Sequence, residues 1–200
     1  RFEFTNYNGG RIRLARGRYH AICLNSDTRN IKIDDAHDFE SFCITTRNAT
    51  ALSGLTSYGI MANEIPKAKD SENERLTLSP EMTWSHSLRD IDIWEQDQTI
   101  TLVPERRTVN YTVEIKNVQN LKWVNGISGT ISSMSGGYYP GKDCLSEECV
   151  TIPFEARMHR EESMITGAFS SLGHCPSVQQ THHLIIYGVL TVLIGDFTCI

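Results

Sequence analysis

Several features that would announce a function are missing from this chain. None of its 200 residues belong to an uninterrupted apolar run close to the ~20 that a membrane-crossing helix needs. No glycine-rich phosphate loop is present, and no carboxylate pair spaced for acid–base work. A basic excess is also lacking: 19 Lys+Arg face 24 Asp+Glu, for a net charge of −5. The deficit runs through both halves, with 12 basic and 15 acidic residues up to Asp97 and 7 and 9 beyond it. Neither half therefore reads as a nucleic-acid module. Six cysteines are few for a disulfide scaffold of this length. The chain opens at Arg1 rather than Met, and upstream residues are expected to have been removed.

What is present is β-patterned. Hydrophobic content of 40% and charged content of 22% suit a globular domain able to build a core without staples. "GRYHAICLNSDTRN" places a tyrosine, a histidine and a cysteine close together. On a strand, Tyr19, Ala21 and Cys23 share one face while His20, Ile22 and Leu24 share the other. His20 and Cys23 thus point apart and form no local nucleophile–base pair. The stretch reads as a strand covered on both faces, ending in the Asn25-Ser26-Asp27 turn.

Before it, "RFEFTNYNGGRIRL" predicts a hairpin with Phe2 and Phe4 turned inward. The arginines at 1, 11, 13, 16 and 18 form its solvated face. Asp38 with Phe39, Phe42 and Cys43 predicts a short helix. Residues 45 to 75 read as a long loop with short strands at most. "RLTL", "DIDIW", "TITLVP", "VNYTVEIKNV", "VTIPFEARMH" and "HHLIIYGVL" predict strands. In the fourth, Val109, Tyr111, Val113 and Ile115 face one way; in the fifth, Pro153 predicts a sheet edge. Regular strands with little helix predict an all-β fold of two tandem sandwiches with Greek-key-type connections, divided near the polar run at 95–98 into residues 1–97 and 98–200.

Two quoted stretches carry a resemblance. "ENERLTLSPEMTW…DQTITLVPERRTVNYTVEIKNVQNLKWVNGISGTISSMSGGYYPG" and "LARGRYHAICLNSDT" are similar to the fimbrial anchor and fimbrillin-like proteins of the Bacteroidetes-type pilus, over residues 11 to about 190. The resemblance implies two transthyretin-like β-sandwich domains, with no enzymatic activity and no cofactor. It implies export, an outer-membrane or cell-surface location, and an N-terminal lipid attached upstream of Arg1. Its implied partners are other fimbrial subunits, joined by donated β-strands, with a host glycan or protein ligand as a further possibility; nucleic acid is not among them.

The tail "YGVLTVLIGDFTCI" bears on strand donation. Tyr187, Val189, Leu190, Val192, Leu193 and Ile194 make a nearly continuous apolar segment that reads either as a native last strand or as a strand-pairing segment. The segment is long for one strand with no turn signal: either it is buried on both faces, or residues of the turn that the similar proteins have hereabouts are missing between Leu190 and Leu193.

Side-chain chemistry stays open at three places. Cys144 and Cys149 form a candidate disulfide; alternatively they join His174 and Cys175 as a Cys₃His zinc set, the basis of a weaker zinc-hydrolase alternative. His182 and His183 diverge if on a strand. Trp84, Trp94 and Trp123 are core residues or sugar-stacking platforms, the basis of a carbohydrate-binding alternative. Trp84 is the one read as exposed, and Trp94 as core or junction. The Asn48 and Asn110 sequons are chance matches if the source is bacterial.

Overall fold

A computed structural model describes residues 1–6, 8–94, 97–177 and 181–190. Its strands, in chain order, are β1 (Gly17–Leu24), β2 (Ile31–Asp34), β3 (Cys43–Thr46), β4 (Arg75–Leu76), β5 (Trp84–Ile93), β6 (Glu105–Arg106) and β7 (Val109–Ile115). β8 (Val124–Ser135), β9 (Gly137–Tyr139), β10 (Cys144–Leu145), β11 (Cys149–His159), β12 (Met164–Ser171) and β13 (Leu184–Leu190) follow. Helix is confined, among the described residues, to 3₁₀ turns at Thr56–Tyr58 and Leu121–Trp123. The fold is all-β, as its alternation predicts.

Three sheets organise the strands: β1-β5-β6, β10-β9-β3-β2, and a larger one in the order β13-β8-β11-β12-β7, with β4 paired to β11. The sheets do not divide at residue 97. β5 pairs with β6, β3 with β9, and β4 with β11, so three pairings join the first half to the second. The polar run at 95–98 resembles a linker in composition, but composition does not report which strands lie beside one another.

The large sheet holds the main core. Val150, Ile152, Phe154 and Ala156 are buried on alternate positions of β11, against Ile127, Met134, Ile165 and Phe169. Phe154 lies over Gly129, its register partner on β8, and over Gly167 of β12. A Cβ built on Gly129 would come 2.2 Å from the Phe154 ring, and one on Gly167 2.5 Å from it. Both positions therefore require glycine so that the ring can lie flat on the sheet. Tyr111 stacks on Phe169, with centroids 4.9 Å apart, and continues the aromatic row.

β11 is a central strand, which corrects the edge expected from Pro153. β4 covers Val150 and Thr151, β12 begins at Ala156, and Pro153 falls between those two neighbours, where the missing N–H leaves no ladder bond broken. β7 alternates as expected except that Val109, at its end, is 45% exposed.

Other expectations are corrected. The Gly9 N–H donates to Asn6 O, but the described residues among 2–14 form no hairpin ladder; Phe2 and Phe4 are 53% and 48% exposed. "TITLVP" has no strand partner among the described residues either. Period-two patterning creates a strand only where a neighbour supplies the other half of the hydrogen bonds. β1 is not covered on both faces: Arg18 and His20 are exposed, and a bulge falls between Tyr19 and Ala21. The helix expected near Asp38 is a single turn. The Ser41 N–H and hydroxyl donate to Asp38 Oδ2, bonds that hold this carboxyl below the usual carboxylate range, and Cys43 already opens β3.

The long segment after β3 is packed rather than free. Leu52, Leu55, Ala62 and Ile65 form a second cluster beneath which Tyr187 and Val189 of β13 lie. Gly54 (φ +84°) passes so close to β8 that a Cβ there would meet Ile127 O at 2.1 Å. Glu74 then anchors the segment. Its buried carboxylate accepts from Ser133 N (3.0 Å), Ser133 Oγ (3.1 Å) and Thr151 Oγ1 (2.6 Å). A buried charge is tolerable only when bonded in this way.

Candidate functional site

β13 pairs with β8 in antiparallel register, Leu184 opposite Ile131 and Gly188 opposite Ile127. Of the candidate pairing segment, Tyr187, Val189 and Leu190 therefore lie on a native strand; Val192, Leu193 and Ile194 fall outside the described residues. β13 is the last strand of its sheet, and no described strand pairs with its other side. One face is seated: Tyr187 Oη donates to Pro66 O at 2.7 Å, and Val189 joins the Leu52–Leu55 cluster. Burial raises the Tyr187 phenol above its ordinary value, consistent with a hydroxyl held as a donor. Leu184 and Leu190 are 41% and 63% exposed. Along this strand runs an open groove of about 550 Å³, lined by apolar Leu55, Ile60, Ile65, Ile186 and Val189 and also by Glu64.

The opposite border of the sheet differs. β7 carries Glu114, ion-paired at 3.3 Å with Lys116, beside polar Asn110 and Thr112. Charges on a border strand discourage pairing with a further chain. β13, "LIIYGVL", has no charge and no proline. Among the described residues a Cβ on Gly188 would meet Val124 Cγ1 alone, at an ordinary 3.6 Å, so none of them demands its small size. Such a glycine fits a place where another backbone approaches closely.

The cysteines pair differently from the sequence expectation. Cys149 is bonded to Cys175, 26 residues on, and Cys144 is free and exposed. The register explains it: Cys144 lies opposite Tyr139 on β9, while Cys149 opens β11 opposite Ser135. Cys175 reaches the same place because its N–H donates to Ser133 O. The Cys₃His zinc set is excluded with it, since two of its sulfurs are bonded to each other. No group of three or more metal-ligating side chains occurs among the described residues. Cys43 is buried, and desolvation pushes its thiol up to about 11.

His174 and His182 do meet, their facing ring nitrogens 2.8 Å apart. Sequence separation gave no sign of this. Trp84, Trp94 and Trp123 are 39%, 60% and 42% exposed. Trp84 begins β5 and Trp94 follows its end, so the two stand roughly 30 Å apart at 3.3 Å per residue. At 60% exposure Trp94 is not a core residue.

Sequence reasoning also missed how the small sheets are joined. Arg107 lies over the Tyr138 ring, 5.1 Å from its centroid, and pairs with Asp143 at 3.2 Å, while Tyr138 Oη donates to Asp143. Burial, then the Asp143 bond, raises the Tyr138 phenol well above its ordinary value. Arg89 similarly reaches Glu40 and Gly141 O. Isolated arginines in a sequence give no signal for such docking.

A family model for a domain of unknown function, DUF5119, matches residues 1–155. No curated protein matches the chain. Among solved structures, a Bacteroides ovatus protein described as a putative adhesin superposes with a TM-score of 0.64 at 18% identity, over 89% of this chain and 62% of that one. A second B. ovatus structure with the same description shares 7% identity at a TM-score of 0.48, over 88% and 53% of the two chains. The chain thus spans less than two thirds of either, and the first shares its fold. Among the described residues, no helix is long and apolar enough to cross a membrane.

Proposed function

The chain belongs to the DUF5119 family, and from that premise we propose that it is an exported adhesion-type protein of the cell surface, an anchor or accessory subunit of a fimbria that joins other subunits by β-strand pairing. The observation that carries this reading is the contrast between the two borders of the large sheet. β7 is guarded by charge, whereas no described strand pairs with the outer N–H and C=O groups of β13, which lie beside a largely apolar groove that also holds Glu64. An extended segment from a neighbouring subunit would bond to those groups and place alternate side chains along the groove. The fold shared with the B. ovatus structure described as a putative adhesin is consistent with this role. On this reading an N-terminal lipid holds the protein at the outer membrane, and no bond-making step is involved.

The test joins location to assembly. Antibody labelling of intact source cells should find the protein on the surface, and purified filaments should contain it. The double variant Leu184→Lys, Leu190→Lys should fold and reach the surface yet be lost from filaments. A protein confined to the cell interior, or a variant incorporated as well as wild type, would defeat the reading.

A further inference from the structure

We propose that His174 and His182 form a proton-sensitive clasp that fixes the lead-in to β13, releasing it when both imidazoles are protonated. His174 bridges to Met134 of β8, next to Cys175, and the Ser135 N–H donates to Gly173 O. His183 lies further along the same border of β8: its N–H donates to Ser132 Oγ, and Ser132 N–H donates to His183 O. β8 is thus bonded at Cys175 and again at His183, and the two imidazoles meet between those bonds.

The proton pattern follows from one end. Ser132 O, 3.1 Å from His182 Nδ1, can only accept, so Nδ1 carries the hydrogen. In the neutral ring Nε2 then accepts, and His174 Nδ1, 2.8 Å away, donates to it. His174 Nε2 is left to accept from Tyr111 Oη at 3.3 Å. One added proton can be absorbed: His182 Nε2 becomes the donor, His174 changes tautomer, and its Nε2–H donates to a Tyr111 hydroxyl that has turned. A second proton cannot. Both facing nitrogens would then carry hydrogens and positive charge at hydrogen-bond distance.

The surroundings offer no relief. Among the described residues bonded to the pair, Tyr111 from β7 and Ser132 from β8 supply no negative charge. Burial first, then the His182 charge, lowers His174 below the ordinary histidine value. A depressed histidine contributes stability above its unfolded pKa and loses it as pH falls through that value toward the folded one. The window therefore opens below about pH 6.5.

NMR titration of the oxidised protein reads the clasp directly. His174 and His182 should titrate in two linked steps. In His182→Gln, His174 should titrate in one step at higher pH. The Ser132 amide, bonded to His183 O, should exchange faster at pH 5 than at pH 7 after correction for intrinsic rate. In His174→Gln and His182→Gln this pH dependence should vanish while Phe154 and Ile152 amides stay protected, which separates release from unfolding. Independent titration of the two rings, or equal pH dependence in wild type and variants, overturns the proposal. So does a zinc-induced rise in melting temperature at pH 7 that requires both histidines, because the shared cation would then be a metal.

Discussion

Gly129→Ala adds one methyl group where the Phe154 ring already lies, and its cost can be worked from the structure. The new Cβ would stand 2.2 Å from Cζ, 2.5 Å from Cε2 and 2.8 Å from Cε1 of that ring. The ring cannot simply swing aside: Phe154 is 5% exposed, stacks on Phe169 at 5.4 Å, and rests on Gly167 on its other flank. Overpacking of this kind costs about 1–3 kcal/mol. Loss of chain entropy in the unfolded state returns about 0.4–1 kcal/mol to the alanine variant. The net expectation is a destabilisation of about 1–2 kcal/mol, a substantial share of a total that is about 5–15 kcal/mol for a domain. Urea denaturation of four proteins measures it: wild type, Gly129→Ala, Phe154→Leu and the double variant. With leucine at 154 the obstruction is gone, so alanine at 129 should be neutral or stabilising. The coupling should then exceed about 0.5 kcal/mol, as for residues in contact. An equal cost for Gly129→Ala in both backgrounds would refute the steric argument.

Three more outcomes are expected. Peptide mapping without reduction should recover Cys149 linked to Cys175, with Cys144 alkylated readily at pH 8 and Cys43, raised to about 11 by burial, protected until much higher pH or unfolding. Glu74→Ala should cost about 1–3 kcal/mol in a melt or urea titration, because it leaves the Ser133 N–H and the Thr151 hydroxyl buried without an acceptor. Stability should decline as pH rises above about 10, the ordinary tyrosine value. Tyr138 keeps its proton in the fold while the unfolded chain gives it up, and the sensitivity should be smaller in Tyr138→Phe.

Local alternation was readable wherever a strand also had a neighbour. "VNYTVEI" and "VTIPFEA" announce β7 and β11, and the structure buries the faces their spacing selects. "RFEF" and "TITLV" carry the same period and form no ladder, because pairing is decided by residues distant in sequence. Pro153 was readable as a place without a ladder bond, but not as a gap between β4 and β12 in a central strand. The Cys149–Cys175 bridge, the His174–His182 contact and the Glu74 anchor join positions far apart in the chain or across a loop, and nothing in spacing selects them. The apolar stretch from Tyr187 was legible as a strand; its place at an unguarded border depends on what lies beside β8.

Hydrogen exchange across Leu184–Leu190, in the free protein and in assembled filaments, addresses the central claim most directly. In an antiparallel border strand alternate N–H groups bond inward, here to β8, and the others point outward. The account predicts that the outward amides exchange quickly in the free protein and become protected on assembly, while the border amides of β7 do not change. Unaltered exchange along β13 in filaments, or protection appearing along Val109–Ile115 instead, would contradict it.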